Sequence, residues 1–429
     1  MRLLLIVLIP LLLQVHSSEP QNSAPRPNFI LIFADDLGYG DLGCYGHPTI
    51  KTPNLDRLAQ EGLKFTQFYS SSPACSASRY SLLTGRYPVY SGFDWVLYPQ
   101  SQAGLSTKEW TLAEALQEND YATACYGKWH LGAIDAAYLP LQNGFDEYLG
   151  LPYSNDMIPP KWPDIALLSG NDTLEMNPDQ SQLTRRYTDA AIQFMHQNPD
   201  GPFFIYLAYA MPHVPLHPGE AYAGQSLAGT YGDVVEEIDG QIGRLMEEIS
   251  KMSLATHTQV WFTSDNGPWL IKQTEGGSSG LFRDGKGSTW EGGMRVPAIV
   301  WQPETVASGV TCQQQASTLD VFPTLLAQAG IGLPHGHPLN GRDISDWMSG
   351  KAQEDAERIF LYYGLNNDLF AIRKGPWKLH LKTYSQLGLD YFEAERPLLF
   401  HLEHDPSEKY NVADKHPEIV KALQAALPK

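Results

Sequence analysis

The residues of this sequence with the most evident chemical potential lie around one cysteine. Cys75 stands at a predicted helix start, Arg79 follows one turn later, and Gly85 marks the predicted helix end. The unpaired N–H groups and the dipole of a helix N-terminus favour anions, and Arg79 could add a fixed cation on the same side. A lone cysteine of this kind is more often a buried structural residue. A modified or activated nucleophile facing an anionic substrate is therefore predicted only if other segments supply the remaining groups.

Two pairs of oxygen-bearing side chains could bind a cation. Asp35 and Asp36 follow one apolar run, and Asp265 and Asn266 follow another. Ligands of this kind suit a hard ion, Ca²⁺ or Mg²⁺, better than zinc. A single Asp-Asp pair is commonly a solvated cap or turn. Two pairs that each end an apolar strand instead predict a metal site.

Cations and proton carriers occupy the same kind of position. Lys128 and His130 follow a third predicted strand, His213 follows a fourth, and Lys286 lies in a loop before a fifth. Two lysines together with Arg79 could bind a tetrahedral oxyanion. The histidines could transfer protons near neutral pH, although either one alone would more often be a satisfied loop residue.

Strand and helix patterns alternate along most of the chain. Strands are predicted at 28–34, 121–126, 202–208, 259–263 and 297–301, and helices at 52–61, 111–118, 180–196, 234–249 and 319–329. This alternation predicts an α/β fold, a doubly wound and mostly parallel sheet sandwiched by helices. Ligands bind beyond the carboxyl ends of the strands in such sheets. The chemically active segments are therefore expected to converge on one pocket.

The pattern changes near residue 341. A hairpin is predicted from 369–373 and 377–382, with a third strand at 398–402 and a terminal helix at 417–427. We therefore predict a catalytic domain over 24–340. A small C-terminal α+β domain with an antiparallel sheet is predicted over 341–429.

Composition and the N-terminus restrict the function and the compartment. The 429 residues carry a net charge of −18 with no basic tract, which argues against nucleic-acid binding. Residues 1–18 have a basic start, an apolar run and a small-residue end, as in a signal peptide, and they are too short to span a membrane. We expect a soluble protein of the secretory pathway, secreted or lysosomal, or periplasmic in a bacterium. Asn171 begins an Asn-Asp-Thr glycosylation sequon.

Cysteine usage is sparse for an exported protein. The chain has only four cysteines, Cys44, Cys75, Cys125 and Cys312. If Cys75 is committed to chemistry, the other three allow at most one bridge. Stability is therefore expected to come from the core rather than from a disulfide framework.

Five motifs together resemble one family. They are 34–40 (ADDLGYG), 75–86 (CSASRYSLLTGR), 127–132 (GKWHLG), 264–267 (SDNG) and 285–293 (GKGSTWEGG). With these motifs the chain resembles the sulfatases of the arylsulfatase A and N-acetylgalactosamine-6-sulfatase type, within the alkaline phosphatase superfamily. The resemblance covers nearly the whole mature chain, and residues 399–406 resemble the C-terminal strand of the family.

The resemblance implies a mechanism. The cysteine matching Cys75 is oxidised by a formylglycine-generating enzyme to an aldehyde, whose hydrate attacks sulfur and then expels sulfate. Ca²⁺, with Mg²⁺ less expected, is held by residue 75 and by Asp35, Asp36, Asp265 and Asn266. Arg79 orients the hydrated aldehyde, His130 acts as its base, and His213 protonates the leaving oxygen. Lys128, Lys286 and His213 bind the substrate, and Ser154 lies near the sulfate.

Alternatives to an active sulfatase remain open. The usual eukaryotic maturation motif, Cys-x-Pro-x-Arg, has Ala77 in place of proline here, which allows a poorly activated or non-catalytic homologue. A phosphate or phosphonate ester hydrolase on the same fold is the other alternative. Against it, Asn266 stands where the zinc phosphatases generally have histidine, and Cys75 replaces their serine or threonine.

The substrate is open within one class, sulfate esters of sugars, glycolipids or aryl alcohols. Four aromatic residues, Trp95, Tyr98, Tyr153 and Trp162, could line a site for the alcohol part. An oligomer is possible, and no stable membrane insertion is expected.

Overall fold

The structure is a computed structural model that describes residues 26–93, 95–333, 336–351, 355, 357–388 and 397–428. The predicted signal peptide, 1–18, lies outside these residues. The strands are β1 Asn28–Ala34, β2 Leu63–Tyr69, β3 Ala122–Gly127, β4 Glu147–Gly150, β5 Ala166–Ser169, β6 Asp172–Met176, β7 Phe203–Ala208, β8 Thr258–Ser264, β9 Arg295–Trp301, β10 Val310–Cys312, β11 Ala316–Ser317, β12 Ile359–Tyr363, β13 Leu369–Lys374, β14 Trp377–His380 and β15 Leu398–His401. The helices are α1 Pro53–Glu61, α2 Cys75–Thr84, α3 Leu112–Gln117, α4 Leu183–Gln197, α5 Gly229–Lys251, α6 Glu291–Met294, α7 Val321–Gln328, α8 Ser345–Met348 and α9 Pro417–Ala425.

The large sheet has the strand order β10-β2-β9-β8-β1-β7-β3-β4-β5-β6, with β11 paired to β2. Its centre is parallel, because β1 pairs with both β7 and β8, and β3 pairs with β7 and β4 in the same sense. Strand β9 runs antiparallel between β8 and β2. The prediction of a mostly parallel sheet is confirmed.

Helices cover both faces of this sheet. Alternate residues of β1 divide between two apolar cores, with Phe29, Leu31 and Phe33 on one face and Ile30 and Ile32 on the other. The first core also contains buried side chains of α2, α3 and α7, and the second contains those of α1, α4 and α5. Burial on both faces is why the central strands appear in the sequence as unbroken apolar runs. The predicted sandwich of helices is confirmed.

The second sheet is small and antiparallel, with the strand order β12-β13-β14-β15. The predicted hairpin is β13 and β14, which pair from Ala371 with His380 to Lys374 with Trp377. Gly375 in its turn has φ of 54°, a conformation that favours glycine. Leu423 of α9 packs on the apolar face of this sheet. The α+β character of the C-terminal region is confirmed, and the boundary at residue 341 stays a prediction.

Several strands were not predicted. Strand β2 carries polar side chains at Lys64, Thr66 and Gln67, and β4, β5 and β6 form a short antiparallel extension at the sheet edge. Such segments lack the long apolar runs that mark the central strands. Strand β12, which completes the small sheet, was also not predicted.

Three further sequence features can be located. All four cysteines are free thiols, and Cys75, Cys125 and Cys312 are buried. Asn171 is exposed in the turn between β5 and β6, where a glycan could be attached. Within the described part of the chain, no helix combines the length and the apolar character that crossing a bilayer requires.

Candidate active site

Two neighbouring strand ends bring the acidic side chains together. Asp35 and Asp36 follow β1, and Asp265 and Asn266 follow β8, the parallel neighbour of β1. The Asp36 backbone N–H donates to Asp265 Oδ1 at 3.0 Å, and Asn266 Nδ2 donates to Asp36 Oδ1 at 2.8 Å. All four residues are buried. The predicted acidic pairs therefore lie in one cluster.

Cys75 lies beside this cluster at the first position of α2. Its Sγ is 3.9 Å from Asp36 Oδ1, and the helix ends at Gly85, which has φ of 65°. Potential ligand atoms of Asp35, Asp36, Cys75 and Asp265 all lie within 4.8 Å of one another. Asn266 Oδ1 is buried and has no hydrogen-bond partner among the described residues. This donor set, rich in oxygen, fits a hard cation.

Three buried cations surround the carboxylates. Arg79 Nη2 lies 3.0 Å from Asp265 Oδ2 and 3.4 Å from Asp35 Oδ1. Lys128 Nζ lies 2.5 Å from Asp35 Oδ2, and Lys286 Nζ lies 2.7 Å from Asp36 Oδ2. Their positive charges offset the negative charges of the three aspartates. The ammonium groups of Lys128 and Lys286 could also hold a tetrahedral anion.

Ser154 and both histidines reach the same place. Ser154 Oγ accepts a hydrogen bond from Lys128 Nζ at 3.1 Å. His213 Nδ1 hydrogen-bonds the Val214 carbonyl at 2.6 Å, which leaves Nε2 facing Asp36 Oδ2 at 3.5 Å. His130 Nε2 hydrogen-bonds the Leu97 carbonyl at 2.8 Å, and its Nδ1 is buried with no hydrogen-bond partner in the described part of the chain. Each imidazole therefore has one nitrogen held by the backbone and the other available for chemistry.

Burial changes the proton affinity of these groups. It lowers the pKa of His130 well below its usual value, and Lys128 and Arg79 add to this effect. Burial and the charge on Lys286 also lower the pKa of His213. Burial raises the pKa of the Cys75 thiol well above its usual value. Because the thiolate is the nucleophilic form of cysteine, Cys75 is a poor nucleophile unless it is modified.

The pKa values of the Asp35 and Asp265 carboxyls shift in opposite directions. Burial by itself would raise the pKa of Asp35, but the charges on Lys128, His213 and Arg79 hold it well below its usual value. Burial and the negative charge of Asp35 raise the pKa of Asp265. A bound divalent cation would favour the ionised form of both.

Two residues that the sequence analysis did not select also lie at the site. The Trp269 ring centroid is 5.2 Å from that of His213 and 4.4 Å from Lys286 Nζ, and Trp269 Nε1 donates to Gln386 Oε1 at 2.6 Å. Trp269 comes three residues after Asn266, so its proximity was a usable signal. Gln386 lies between β14 and β15, and no sequence pattern pointed to it.

The four predicted aromatic residues differ in exposure. Tyr98, directly after Leu97, is 47% exposed and stacks on Trp162 with centroids 5.0 Å apart. Tyr153 is almost fully buried, and Trp95 is half-buried. Tyr98 is thus the most exposed of the four, and its stacking partner Trp162 is half-buried like Trp95.

Comparison with known proteins identifies the family. The family model described as "Sulfatase" matches residues 27–331, and the model described as the C-terminal region of aryl-sulfatase matches 355–429. This chain belongs to the sulfatase family. Human arylsulfatase A is 41% identical over 94% of this chain and 87% of its own length. Rat N-acetylgalactosamine-6-sulfatase is 37% identical over 90% of this chain and 82% of its own.

Solved structures agree. The PsFucS1 sulfatase from Pseudoalteromonas sp. superposes with a TM-score of 0.82 at 27% identity, covering 94% of this chain and 90% of that chain. The protein described by this sequence is therefore an enzyme that hydrolyses sulfate esters.

Proposed function

We propose that this sulfatase uses Ca²⁺ and a formylglycine formed from Cys75 to cleave a sulfate ester of a sugar, a glycolipid or an aryl alcohol. The observation that carries the proposal is the state of Cys75. It is buried, its pKa is raised by burial, and it stands at the N-terminus of α2 among cations and carboxylates. This arrangement suits an anionic substrate but not an unmodified thiol nucleophile.

The donor set supports Ca²⁺. Asp35, Asp36, Asp265 and Asn266 would hold the ion together with the modified residue 75. Calcium accepts such oxygen ligands in flexible geometry, whereas Mg²⁺ demands a near-ideal octahedron and is less expected. When bound, the cation would neutralise carboxylate charge and polarise a sulfate oxygen.

Formylglycine would supply a hydrated aldehyde, one oxygen of which attacks sulfur while the other later allows sulfate to be expelled. The surrounding residues would position residue 75 and the sulfate group, and would protonate the leaving oxygen. Arg79, held against Asp35 and Asp265, would orient residue 75, and Lys128 and Lys286 would bind sulfate oxygens with Ser154 nearby. Charge-assisted contacts of this kind stabilise the anionic transition state.

Proton transfer would involve both histidines. The neutral imidazole of His130, with its free Nδ1, would accept a proton from the attacking hydroxyl. His213 would deliver a proton from Nε2 to the leaving oxygen. Burial and Lys286 lower the pKa of His213, and the negative charge that develops on the leaving oxygen in the transition state would raise it again.

Compartment and substrate class rest on the sequence and on the relatives. The predicted signal peptide and the exposed sequon at Asn171 support a secreted or lysosomal glycoprotein. Relatives named for arylsulfatase and N-acetylgalactosamine-6-sulfatase activity support aryl or sugar sulfates. The Tyr98–Trp162 pair could stack against either kind of ring.

Mass spectrometry of the tryptic peptide 65–79 tests the proposal. The protein should be secreted from a cell that matures sulfatases, and activity on 4-nitrophenyl sulfate should be measured on the same sample. We expect an aldehyde at residue 75 and turnover in proportion to its occupancy. The Cys75→Ala variant, which has no thiol or hydroxyl that could be converted to the aldehyde, is the matched control. Turnover by protein whose residue 75 is an unmodified thiol would refute the proposal. An unmodified thiol together with no turnover would favour a non-catalytic homologue.

A further inference from the structure

Trp269 connects two residues of the site to the small C-terminal sheet. Its ring packs against the imidazole of His213 at 5.2 Å and lies over the Lys286 ammonium at 4.4 Å. Both partners are almost fully buried, and Trp269 is half-buried. The Trp269 ring therefore contacts both His213 and Lys286, which in the proposed function contact the leaving oxygen and the sulfate, respectively.

Gln386 fixes the orientation of that ring. Trp269 Nε1 donates to Gln386 Oε1 at 2.6 Å, and Gln386 reaches the site from the segment between β14 and β15. A Cβ added to Gly287, the neighbour of Lys286, would lie only 2.4 Å from Gln386 Nε2. The Gln386 amide thus packs directly on the backbone that carries Lys286.

The residue next to Gln386 also lies near this loop. Burial raises the pKa of the Asp284 carboxyl, two residues before Lys286, and the Ser385 side chain opposes that rise. Ser385 and Gln386 therefore both lie beside the loop that carries Lys286.

We propose that Gln386 and Trp269 are positioning residues that align His213 with the leaving oxygen, an inference that rests on the proposed function. As the bond between sulfur and the leaving oxygen breaks, the proton on His213 Nε2 moves to that oxygen, which leaves as an alcohol. The electron pair of the broken bond stays with the leaving oxygen. Misalignment of His213 weakens this transfer.

The consequence depends on the leaving group. A nitrophenolate is stable as an anion and needs little help from an acid, whereas a methylphenolate is more basic and needs more. The ester 4-methylphenyl sulfate closely matches 4-nitrophenyl sulfate in size and shape. A positioning defect should therefore affect the two esters unequally, and general damage to the fold should affect them equally.

The test compares Gln386→Met, Trp269→Phe and the double variant with wild-type protein carrying the aldehyde. Gln386→Met keeps approximate side-chain volume, Trp269→Phe keeps an aromatic ring of smaller size, and both remove the same hydrogen bond. We expect kcat/KM on 4-methylphenyl sulfate to fall about tenfold in each, with less than about a twofold change on 4-nitrophenyl sulfate. The double variant should be no worse than Trp269→Phe alone, because that substitution already removes the hydrogen bond that Gln386→Met removes.

Trp110→Phe is the matched control. Trp110 is also half-buried and also donates its indole N–H to a side chain, Glu118 Oε2 at 3.3 Å, outside the site. It should leave both rates unchanged. Equal losses on the two esters, unchanged rates, or additive losses in the double variant would overturn the inference alone. Failure of the aldehyde-bearing wild type on both esters would instead count against the proposed function.

Discussion

At the scale of single residues, the surroundings of Cys75 decide its chemistry. A reactive cysteine usually has a lowered pKa and some exposure, but Cys75 is 1% exposed and its pKa is raised by burial. Neighbouring Lys128 and Lys286 oppose that rise without overcoming it. The surroundings of Cys75 therefore agree with the proposal that it is modified before it takes part in catalysis.

Substitution of Cys75 should separate chemistry from stability. Cys75→Ala should lower turnover of 4-nitrophenyl sulfate to below about a thousandth of the wild-type value, because no other nucleophile replaces residue 75. The free energy of unfolding should change by only about 1 kcal/mol, since few atoms are removed from the core. Activity assays and denaturant unfolding of both proteins measure these effects. Steady turnover by the alanine variant would contradict the assigned role.

The oxygen cluster predicts a response to metal removal. Treatment with a calcium chelator should abolish activity and lower the melting temperature by a few degrees, because a ligand at 100 times its Kd stabilises the fold by about 2.7 kcal/mol. Calcium should restore both properties better than magnesium. Asp265→Asn keeps the side-chain shape but removes one charged ligand, so its melting temperature should respond less to added calcium. A melting temperature that is insensitive to both ions would argue against a structural calcium site.

At the scale of elements, charges join the two sheets. Lys378 of β14 lies with Nζ 2.9 Å from Glu291 Oε1 and 3.0 Å from Glu408 Oε1, and it donates to the Thr289 carbonyl at 2.8 Å. His380 Nε2 contacts Glu408 Oε1 at 2.7 Å. These ionisable side chains are fully buried. The cluster attaches the small sheet to the start of α6, just beyond the Lys286 loop.

Removal of Lys378 should be costly. Lys378→Met should lower the free energy of unfolding by about 3–5 kcal/mol, because two buried carboxylates lose their shared cation. Lys382→Met is the matched control, since Lys382 and its partner Asp368 are more than half exposed, and it should cost less than about 1 kcal/mol. Urea unfolding of both variants makes the comparison. Similar losses in the two would show that burial of the cluster does not set its contribution.

At the scale of the whole molecule, buried carboxyls couple stability to pH. Glu237 of α5 is 2% exposed, and burial raises its pKa to about 7, with the hydrogen bond from the Gly219 N–H opposing the rise. Burial also raises the pKa of Asp239, on the same helix, to about 6. The net charge of −18 at pH 7 adds repulsion that weakens as the pH falls.

Stability should therefore be greater at pH 5 than at pH 7.5. A folded-state pKa above the ordinary value of 4.5 means that folded Glu237 binds its proton more tightly than the unfolded chain does. Its stabilising effect is fully present below pH 4.5 and is lost as the pH rises through 7. Glu237→Gln should match the wild type at pH 5 and exceed it by about 1–3 kcal/mol at pH 7.5. Melting curves at the two pH values would refute this if the variant shifted equally at both.

Much of the fold could be inferred from local patterns. Strands β1, β7 and β8 are unbroken apolar runs because both faces of the parallel sheet are covered, and α2 is marked by its start at Cys75 and its stop at Gly85. Strands β2 and β12 were missed because their side chains mix polar and apolar character. Their strand conformation depends on neighbours that are distant in sequence, such as β9 and β13.

The candidate site could likewise be predicted from the sequence only in part. Asp35, Asp36, Asp265 and Asn266 could be grouped from sequence because the carboxyl ends of parallel strands meet at one edge, and the structure places them together. The hydrogen bond from Trp269 to Gln386 could not be predicted from any such pattern in the sequence. It joins two loops 117 residues apart across two sheets. Local periodicity specifies elements and their ends, but the contact between loops of different sheets exists only once both sheets have packed.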